Sequence, residues 1–257
     1  MIKLVVSDVD GTLLKSGESE IPEEALRVIH ELKEKGVLFA AASGRPYADL
    51  KHLFGKVAED IAFIASDGAF ISYKSQAIAK FPIEKETGFE FMREIYMETD
   101  AEVALYGAYM SYIIPKRESF AAYFRNTVRG HMETVSCMHR VEDEYLKIGI
   151  FHEADVEKHA GAIASYWNGR LHPVYSSKNW LEYTAAGVHK GAGLDKLIKT
   201  FDIAPEEVLA FGDNQNDREM LELAGCSYAM SRAPQEIKRL CGYETQNPVE
   251  TIRALVL

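Results

Sequence analysis

The stretch LVVSDVDGTLL at residues 4–14 runs from apolar residues straight into two aspartates one residue apart, Asp8 and Asp10, and then into a glycine. A short apolar run closed by a turn signal reads as a buried strand. A single aspartate closing a strand commonly does no more than cap the next turn. Two of them, flanking Val9 and followed by Gly11 and Thr12, form a more specific pattern. Asp8 is placed to act as nucleophile and metal ligand, and Asp10, displaced by the turn at Gly11, as acid and base toward a leaving group. Gly11 supplies the turn and Thr12 is placed to fasten it.

Outward from this strand the first half of the chain alternates strand and helix signals. A helix opens at Pro22 and closes before Gly36, with Ala25, Val28, Ile29 and Leu32 on its apolar face. VLFAAAS (37–43) reads as a second buried strand ending at Ser43-Gly44-Arg45-Pro46. IAFIAS (61–66) reads as a third, ending at Asp67-Gly68 ahead of a hairpin through 69–81. Strands followed by helices pair in parallel, which predicts an α/β fold with a Rossmann-like parallel sheet.

From residue 83 the rhythm changes. A helix near 86–98 precedes paired strands near 102–107 and 109–114, then a helical SFAAYFRNTVRG (119–130) and the strand YLKIGIFH (145–152). An amphipathic helix ADVEKHAGAIASYW (154–167) and two strands, RLHPVYSS (170–177) and NWLEYTAA (179–186), follow. After Gly187 the parallel rhythm returns with a helix from Lys190, the strand VLAFGD (208–213), a helix from Asn216 and the strand CSYAMS (226–231). The expected organisation is a discontinuous core, 1–82 and 186–257, carrying an inserted α+β domain at 83–185.

The chain has 257 residues, enough for one large or two modest domains. Hydrophobic residues at 47% and charged residues at 26% are ordinary globular values. A net charge of −10 disfavours a nucleic-acid partner, because counterions of a polyphosphate would not be displaced broadly. The apolar runs fall short of the roughly 18 residues of a membrane span. The N-terminus MIKLVVSDVD turns acidic too early for a secretory signal, which leads us to expect a cytoplasmic protein with no membrane partner. Cys137, Cys226 and Cys241 are widely spaced and read as buried thiols, neither a disulfide framework nor a zinc cluster. His152 and Glu153 begin a possible metal motif, but the next histidine, His159, is out of register for H-E-x-x-H.

In an open parallel sheet, ligands bind beyond the carboxyl ends of the strands. Asp8, Asp10, Ser43 and Asp213 end the core strands, Asn216 and Asp217 lie close behind, and Lys190 opens a helix. Asp8, Asp10, Asp213 and Asp217 against Lys190 leave a formal local charge near −3. Such a cluster calls for a divalent cation or a retained proton. Oxygen-only ligands favour Mg2+.

SDVDGTLL (7–14) resembles the first motif of the haloacid dehalogenase (HAD) superfamily, ASGRP (42–46) the second, VHKGAGLDKL (188–197) the third and FGDNQNDREML (211–221) the fourth. NWLEYTAAGVHKGAGLDKL (179–197) further resembles the cap-to-core return of Cof-type phosphatases, whose large α/β cap (class IIB) lies between motifs two and three. The resemblance implies a HAD catalytic core at 1–82 and 186–257, a cap at 83–185, and a Mg2+-dependent phosphatase acting on small phosphorylated metabolites, sugar phosphates foremost. It implies Asp8 as the residue that forms an aspartyl-phosphate and Asp10 as acid/base. Val9, Ser43, Gly44, Lys190 and Asn216 would bind phosphate, and Asp8, Asp10, Asp213 and Asn214 would serve the metal. Asp217, Thr12 and Arg45 would support them. Tyr106, Tyr109, Tyr112, Trp180 and Tyr183 are the cap aromatics considered for substrate contact. Two positions depart from the family pattern: Asp67 stands where Asn is common, and His189 where a small polar residue is usual.

A phosphomutase of the same superfamily shares the nucleophile, the acid/base and a similar cap. A receiver that holds phospho-aspartate uses the same ion and lysine, but as one compact domain it has no need of an insert. The sequence carries no signal of oligomeric state.

Overall fold

The structure, a computed structural model, describes residues 1–15, 18–127, 132–175 and 177–257. In chain order the first elements are β1 (Leu4–Asp8), α1 (Glu23–Glu34), β2 (Leu38–Ala42), α2 (Tyr47–Phe54), β3 (Ala62–Ala65), β4 (Phe70–Tyr73) and β5 (Gln76–Lys80). Then come α3 (Lys85–Glu98), β6 (Glu102–Tyr106), β7 (Ser111–Ile113), α4 (Glu118–Thr127), β8 (Met132–Thr134) and β9 (Lys147–Phe151). A π-helical turn at Glu157–Gly161 runs into α5 (Ala162–Ser165), followed by β10 (Leu171–Tyr175) and β11 (Trp180–Ala185). The chain closes with α6 (Lys190–Phe201), β12 (Val208–Gly212), α7 (Arg218–Leu223), β13 (Cys226–Met230), α8 (Gln235–Lys238), β14 (Tyr243–Thr245) and α9 (Pro248–Leu255). Two compact units result: Met1–Gly44, Leu50–Ala79 and His189–Leu257 form the first, and Arg45–Asp49 with Lys80–Val188 the second.

The first unit is built on an eight-stranded sheet in the order β14-β13-β12-β1-β2-β3-β4-β5. β14 through β3 pair in parallel and β3 with β4 antiparallel. Its central strands are apolar up to their carboxyl ends because helices seal both faces of a parallel sheet. Leu4, Val5 and Val6 are fully buried, as are Val208, Leu209, Ala210 and Phe211. Register sets the functional edge: Asp8 pairs with Ala42, and Ser7 with Phe211. β1, β2 and β12 therefore end side by side, delivering Asp8, Ser43 and Asp213 to one rim.

The second unit has a six-stranded sheet, β10-β11-β9-β6-β7-β8, antiparallel except for β7 with β8. Alternation assigns its two faces. Val103, Leu105, Ile148, Ile150, Leu181 and Tyr183 pack with Phe91 and Ile95 of α3. Ala104, Tyr106 and Phe151 pack with Phe120, Ala121 and Phe124 of α4.

The sequence leaves α2, β8, β14, α8 and α9 unassigned, and β8 and β14 are three-residue strands too short to show a period. The expected helix at 154–167 begins as the π-helical turn. Residues 128–130 of the expected helix and Ser176 of the expected strand lie outside the described residues. All three cysteines are half-buried free thiols, not the fully buried ones expected. No helix among the described residues is long and apolar enough to cross a membrane.

One packing contact reverses a propensity rule. Gly to Ala inside a helix ordinarily gains about 1 kcal/mol. At Gly193 of α6, an added Cβ would lie 2.5 Å from Ile64 Cγ2 and 3.1 Å from Gly68 Cα. Ile64 is fully buried on β3, so it has no room to yield. Gly193→Ala is expected to destabilise by about 1–2 kcal/mol, the overpacking cost outweighing the propensity gain. Urea unfolding checks the sign, and a stabilised variant would contradict this packing.

Candidate active site

Asp8 ends β1 with its side chain buried, 4% exposed, whereas Asp10, past the turn, is exposed. The two acids thus sit in different surroundings. The turn between them and Leu14 closes on Val9, whose carbonyl accepts from the amides of Thr12 (3.3 Å) and Leu14 (2.8 Å). Thr12 fastens the turn through its backbone, while its buried hydroxyl has no partner among the described residues. Gly11 has φ +102, and a Cβ there would fall 2.2 Å from Asp213 Oδ2, so only glycine lets the turn approach that carboxylate.

Lys190, the first residue of α6, is 1% exposed. Its ammonium donates to Asp8 Oδ1 (2.7 Å) and Asp217 Oδ1 (2.6 Å). The other oxygen of Asp217 accepts from the amides of Asp213 (2.9 Å) and Asn214 (3.1 Å). Both oxygens of Asp217 are therefore engaged, and it serves as the anchor of Lys190 and of the loop after β12. Asn214 directs its side-chain oxygen to the amide of Gln215 (2.8 Å), capping the same loop. Asn216 donates to Asp67 Oδ1 (2.9 Å). His189 caps α6 by accepting the amide of Ala192 on Nδ1. Ser43 is buried and Gly44 half-buried at the end of β2. Arg45 belongs to the second unit.

Electrostatics follow from this crowding. Burial and the Asp217 carboxylate push the Asp8 carboxyl well above its usual range, with Lys190 opposing them. Burial and Asp217 likewise push Asp213 up to about 6. Burial works against the Lys190 ammonium, but the Asp217 and Asp8 carboxylates outweigh it and raise its pKa. Asp8 Oδ2 and Asp213 Oδ1 are buried without a hydrogen-bond partner among the described residues. Asp8, Asp213 and Asp217 can bring one oxygen each within 4.8 Å of one another. With Asp217 committed to Lys190 and the loop amides, the two orphaned oxygens are the ones available to a cation. Three carboxylates and one ammonium sum to −2, the charge that one divalent ion balances, and the donors are the hard oxygens Mg2+ prefers.

Arg232, on the turn after β13, donates from Nε to the Gly11 carbonyl (3.0 Å) and also through a terminal nitrogen. Nothing local in the sequence SRAP marks this role, which depends on the neighbouring strand order.

In the second unit Asp100, His152 and His159 form another cluster of potential ligands. The two rings, seven residues apart, stack at 3.4 Å because the π-helical turn folds His159 back over the end of β9. His152 Nδ1 accepts from the amides of Ala154 and Asp155, so the ring is assigned its proton on Nε2, facing Asp100 Oδ2 at 3.3 Å. His159 lies 2.9 Å from the other oxygen, and Arg117 is 3.8 Å from Oδ2. Asp100 is thus the shared acceptor of a clasp. Among the aromatics singled out, Tyr183 is packing, its ring 4.8 Å from that of Phe91. Tyr106 and Trp180 lie on the opposite sheet face, the Tyr112 hydroxyl bonds Asp143, and Tyr109 is 55% exposed.

The raised carboxyls give metal-free protein a definite pH dependence. Asp213 titrates near 6 when folded but near 4 when unfolded, so the unfolded chain loses its proton first as pH rises. Stability therefore falls between about pH 4 and 6 and stays low above that range. In chelator the thermal midpoint is expected to be lower at pH 7.5 than at pH 5. Mg2+ should raise it more at the higher pH, and Asp213→Asn should flatten the difference. A chelator-treated wild type no less stable at pH 7.5, with the same profile in Asp213→Asn, would contradict the assignment.

Residues 5–251 match the model of the haloacid dehalogenase-like hydrolases. The chain is 26% identical over 243 residues to the 5-amino-6-(5-phospho-D-ribitylamino)uracil phosphatase YbjI of Escherichia coli (strain K12), covering 94% of this chain and 90% of that protein. It is 27% identical over 255 residues to the phosphatase of the same name, YitU, of Bacillus subtilis (strain 168), covering 94% and 91%. A crystal structure from Eubacterium rectale superposes with a TM-score of 0.91 at 26% identity, covering 99% of each chain. The HAD subclass IIB sugar phosphatase BT4131 shares the fold with a TM-score of 0.81 at 24% identity, over 97% of this chain and 95% of that one. The chain belongs to the haloacid dehalogenase-like hydrolases, and within them to the Cof-type phosphatases with a large cap between the second and third motifs.

Proposed function

We propose that this phosphatase is Mg2+-dependent and hydrolyses small phosphorylated metabolites, sugar phosphates foremost, through an aspartyl-phosphate on Asp8. The observation that carries the reading is the buried Asp8–Lys190–Asp217 bridge beside the two orphaned carboxylate oxygens. Asp8, Asp213 and the Asp10 backbone would hold Mg2+, with Asn214 supporting it; when bound, the ion neutralises the carboxylates and the phosphoryl oxygens near them. Lys190 holds Asp8 Oδ1 and so fixes the carboxylate for in-line attack on phosphorus. As the Asp8–phosphorus bond forms, the bond to the leaving oxygen breaks and Asp10 protonates that oxygen. Asp10 then takes a proton from a water that attacks phosphorus and frees Asp8. Ser43, the amides of Val9 and Gly44, Lys190 and Asn216 would bind the phosphoryl oxygens, where charge is spread during transfer.

Residues 83–185 act in this reading as the cap, which selects the substrate while the core at 1–82 and 186–257 does the chemistry. Relatives named for a phosphoribitylamino-uracil and for HMP-PP place such metabolites beside sugar phosphates in the panel to test.

Rapid-quench trapping tests the mechanism. Asp8→Asn should form no phosphoryl-enzyme, because an amide is a poor nucleophile. Asp10→Asn should accumulate an acid-stable, hydroxylamine-sensitive adduct from an activated aryl phosphate, whose leaving group needs little protonation, and should hydrolyse it slowly. Absence of any adduct would count against covalent catalysis, and conversion of a sugar phosphate to its isomer in place of steady phosphate release would favour the mutase. For the cap, Tyr109→Ala should change kcat/KM among phosphorylated metabolites by about fivefold or more while altering aryl phosphate turnover less than about twofold. Equal losses on every substrate would contradict the division of labour.

A further inference from the structure

Asp67 takes no part in the chemistry above, yet it is held in an unusual way. Ser66, Asp67 and Gly68 follow one another at φ 49, 53 and 96, so two non-glycine residues in succession occupy the left-handed region. Strain of this kind persists only where the surroundings over-determine it. The Asp67 side chain is 1% exposed.

What over-determines the turn is contact with three separate segments of the rim. The Asp67 amide donates to the Ser43 carbonyl at 3.0 Å, at the end of β2. Asp67 Oδ1 accepts the Asn216 side-chain amide at 2.9 Å, in the loop after β12. Gly68 presses so closely on the start of α6 that a Cβ there would lie 2.3 Å from the His189 carbonyl, one residue before Lys190. The turn therefore joins the segments that carry Ser43, Lys190 and Asn216. Because Asp67 Oδ1 is the acceptor, the bond fixes which end of the Asn216 amide faces the turn. The contacts that Asp67 makes are with the segments carrying these groups, and through Asn216 it reaches one of them directly.

We propose that Asp67 is a positioning residue of the phosphate cradle, acting through Asn216; this rests on the reading of Ser43, Lys190 and Asn216 as phosphate-binding groups. Its effect is on the orientation of a donor that touches the transferring group.

Asp67→Gly is the informative variant, because glycine is at ease at this backbone conformation and a purely conformational role would survive it. The expected result is an unchanged or raised thermal midpoint with kcat/KM toward an aryl phosphate lowered by about 10- to 100-fold. In an Asn216→Ala background the same replacement should change kcat/KM by less than about threefold, since both substitutions then remove one interaction. Asp67→Asn keeps an acceptor oxygen and tolerates the left-handed backbone, so it should recover kcat to within about threefold of wild type. Full activity in Asp67→Gly, independent multiplicative losses in the Asn216→Ala background, or an Asp67→Asn variant as impaired as Asp67→Gly would overturn the inference. A wild type inactive on every phosphate monoester would contradict the phosphatase reading itself and this inference with it, whereas an active wild type insensitive to Asp67→Gly contradicts Asp67 alone.

Discussion

An ammonium with almost no solvent access, shared between two buried carboxylates, is the interaction on which the site depends. Lys190 bonds Asp8 and Asp217 at 2.7 and 2.6 Å, and Asp217 in turn caps the amides after β12. Removing one partner of such a buried pair leaves an uncompensated charge and costs about 3–5 kcal/mol. The three residues come from positions 8, 190 and 217, so the bridge forms only when both ends of the discontinuous first unit have closed on β1. The bridge also under-compensates its surroundings: one positive charge faces Asp8, Asp217 and Asp213, and the excess appears as raised carboxyl pKa values. Stability is thus lower than a neutral rim would give, and the deficit sits where a cation and a phosphoryl group can use it.

The core and its rim were legible because their signals are local and their geometry is shared. A fully buried parallel strand is an unbroken apolar run, and the rule that ligands gather at carboxyl ends turns strand ends into a list of candidates. Asp8, Ser43 and Asp213 could be read that way, and register then placed them on one edge. Their convergence is geometric. Arg232 could not be read: its contact with the Gly11 carbonyl crosses 221 residues and leaves no pattern in its own neighbourhood. The Asp100–His152–His159 clasp escaped for another reason. A spacing of seven fits no helical metal motif, and the two rings meet because the chain leaves a strand, turns, and enters a π-helical turn. Short strands such as β8 and β14 have no period to detect and owe their existence to an edge offered by a neighbour.

The second unit shows a different balance of forces. One face of its sheet is a closed apolar layer with α3 and α5, the arrangement that burial alone favours. The other face carries the aromatic cluster with α4, and also Lys147, whose ammonium lies 2.9 Å from Glu182 and 5.1 Å from the Tyr106 ring centre. Lys147 is 2% and Glu182 8% exposed. A buried ion pair of this kind seldom exceeds apolar residues of similar volume in stability, because desolvation consumes most of the attraction. A sheet face that mixes this pair with aromatic rings is therefore poorly explained by the stability of the unit. Once in place the pair is hard to dismantle singly, since either member alone would be an uncompensated buried charge costing about 3–5 kcal/mol.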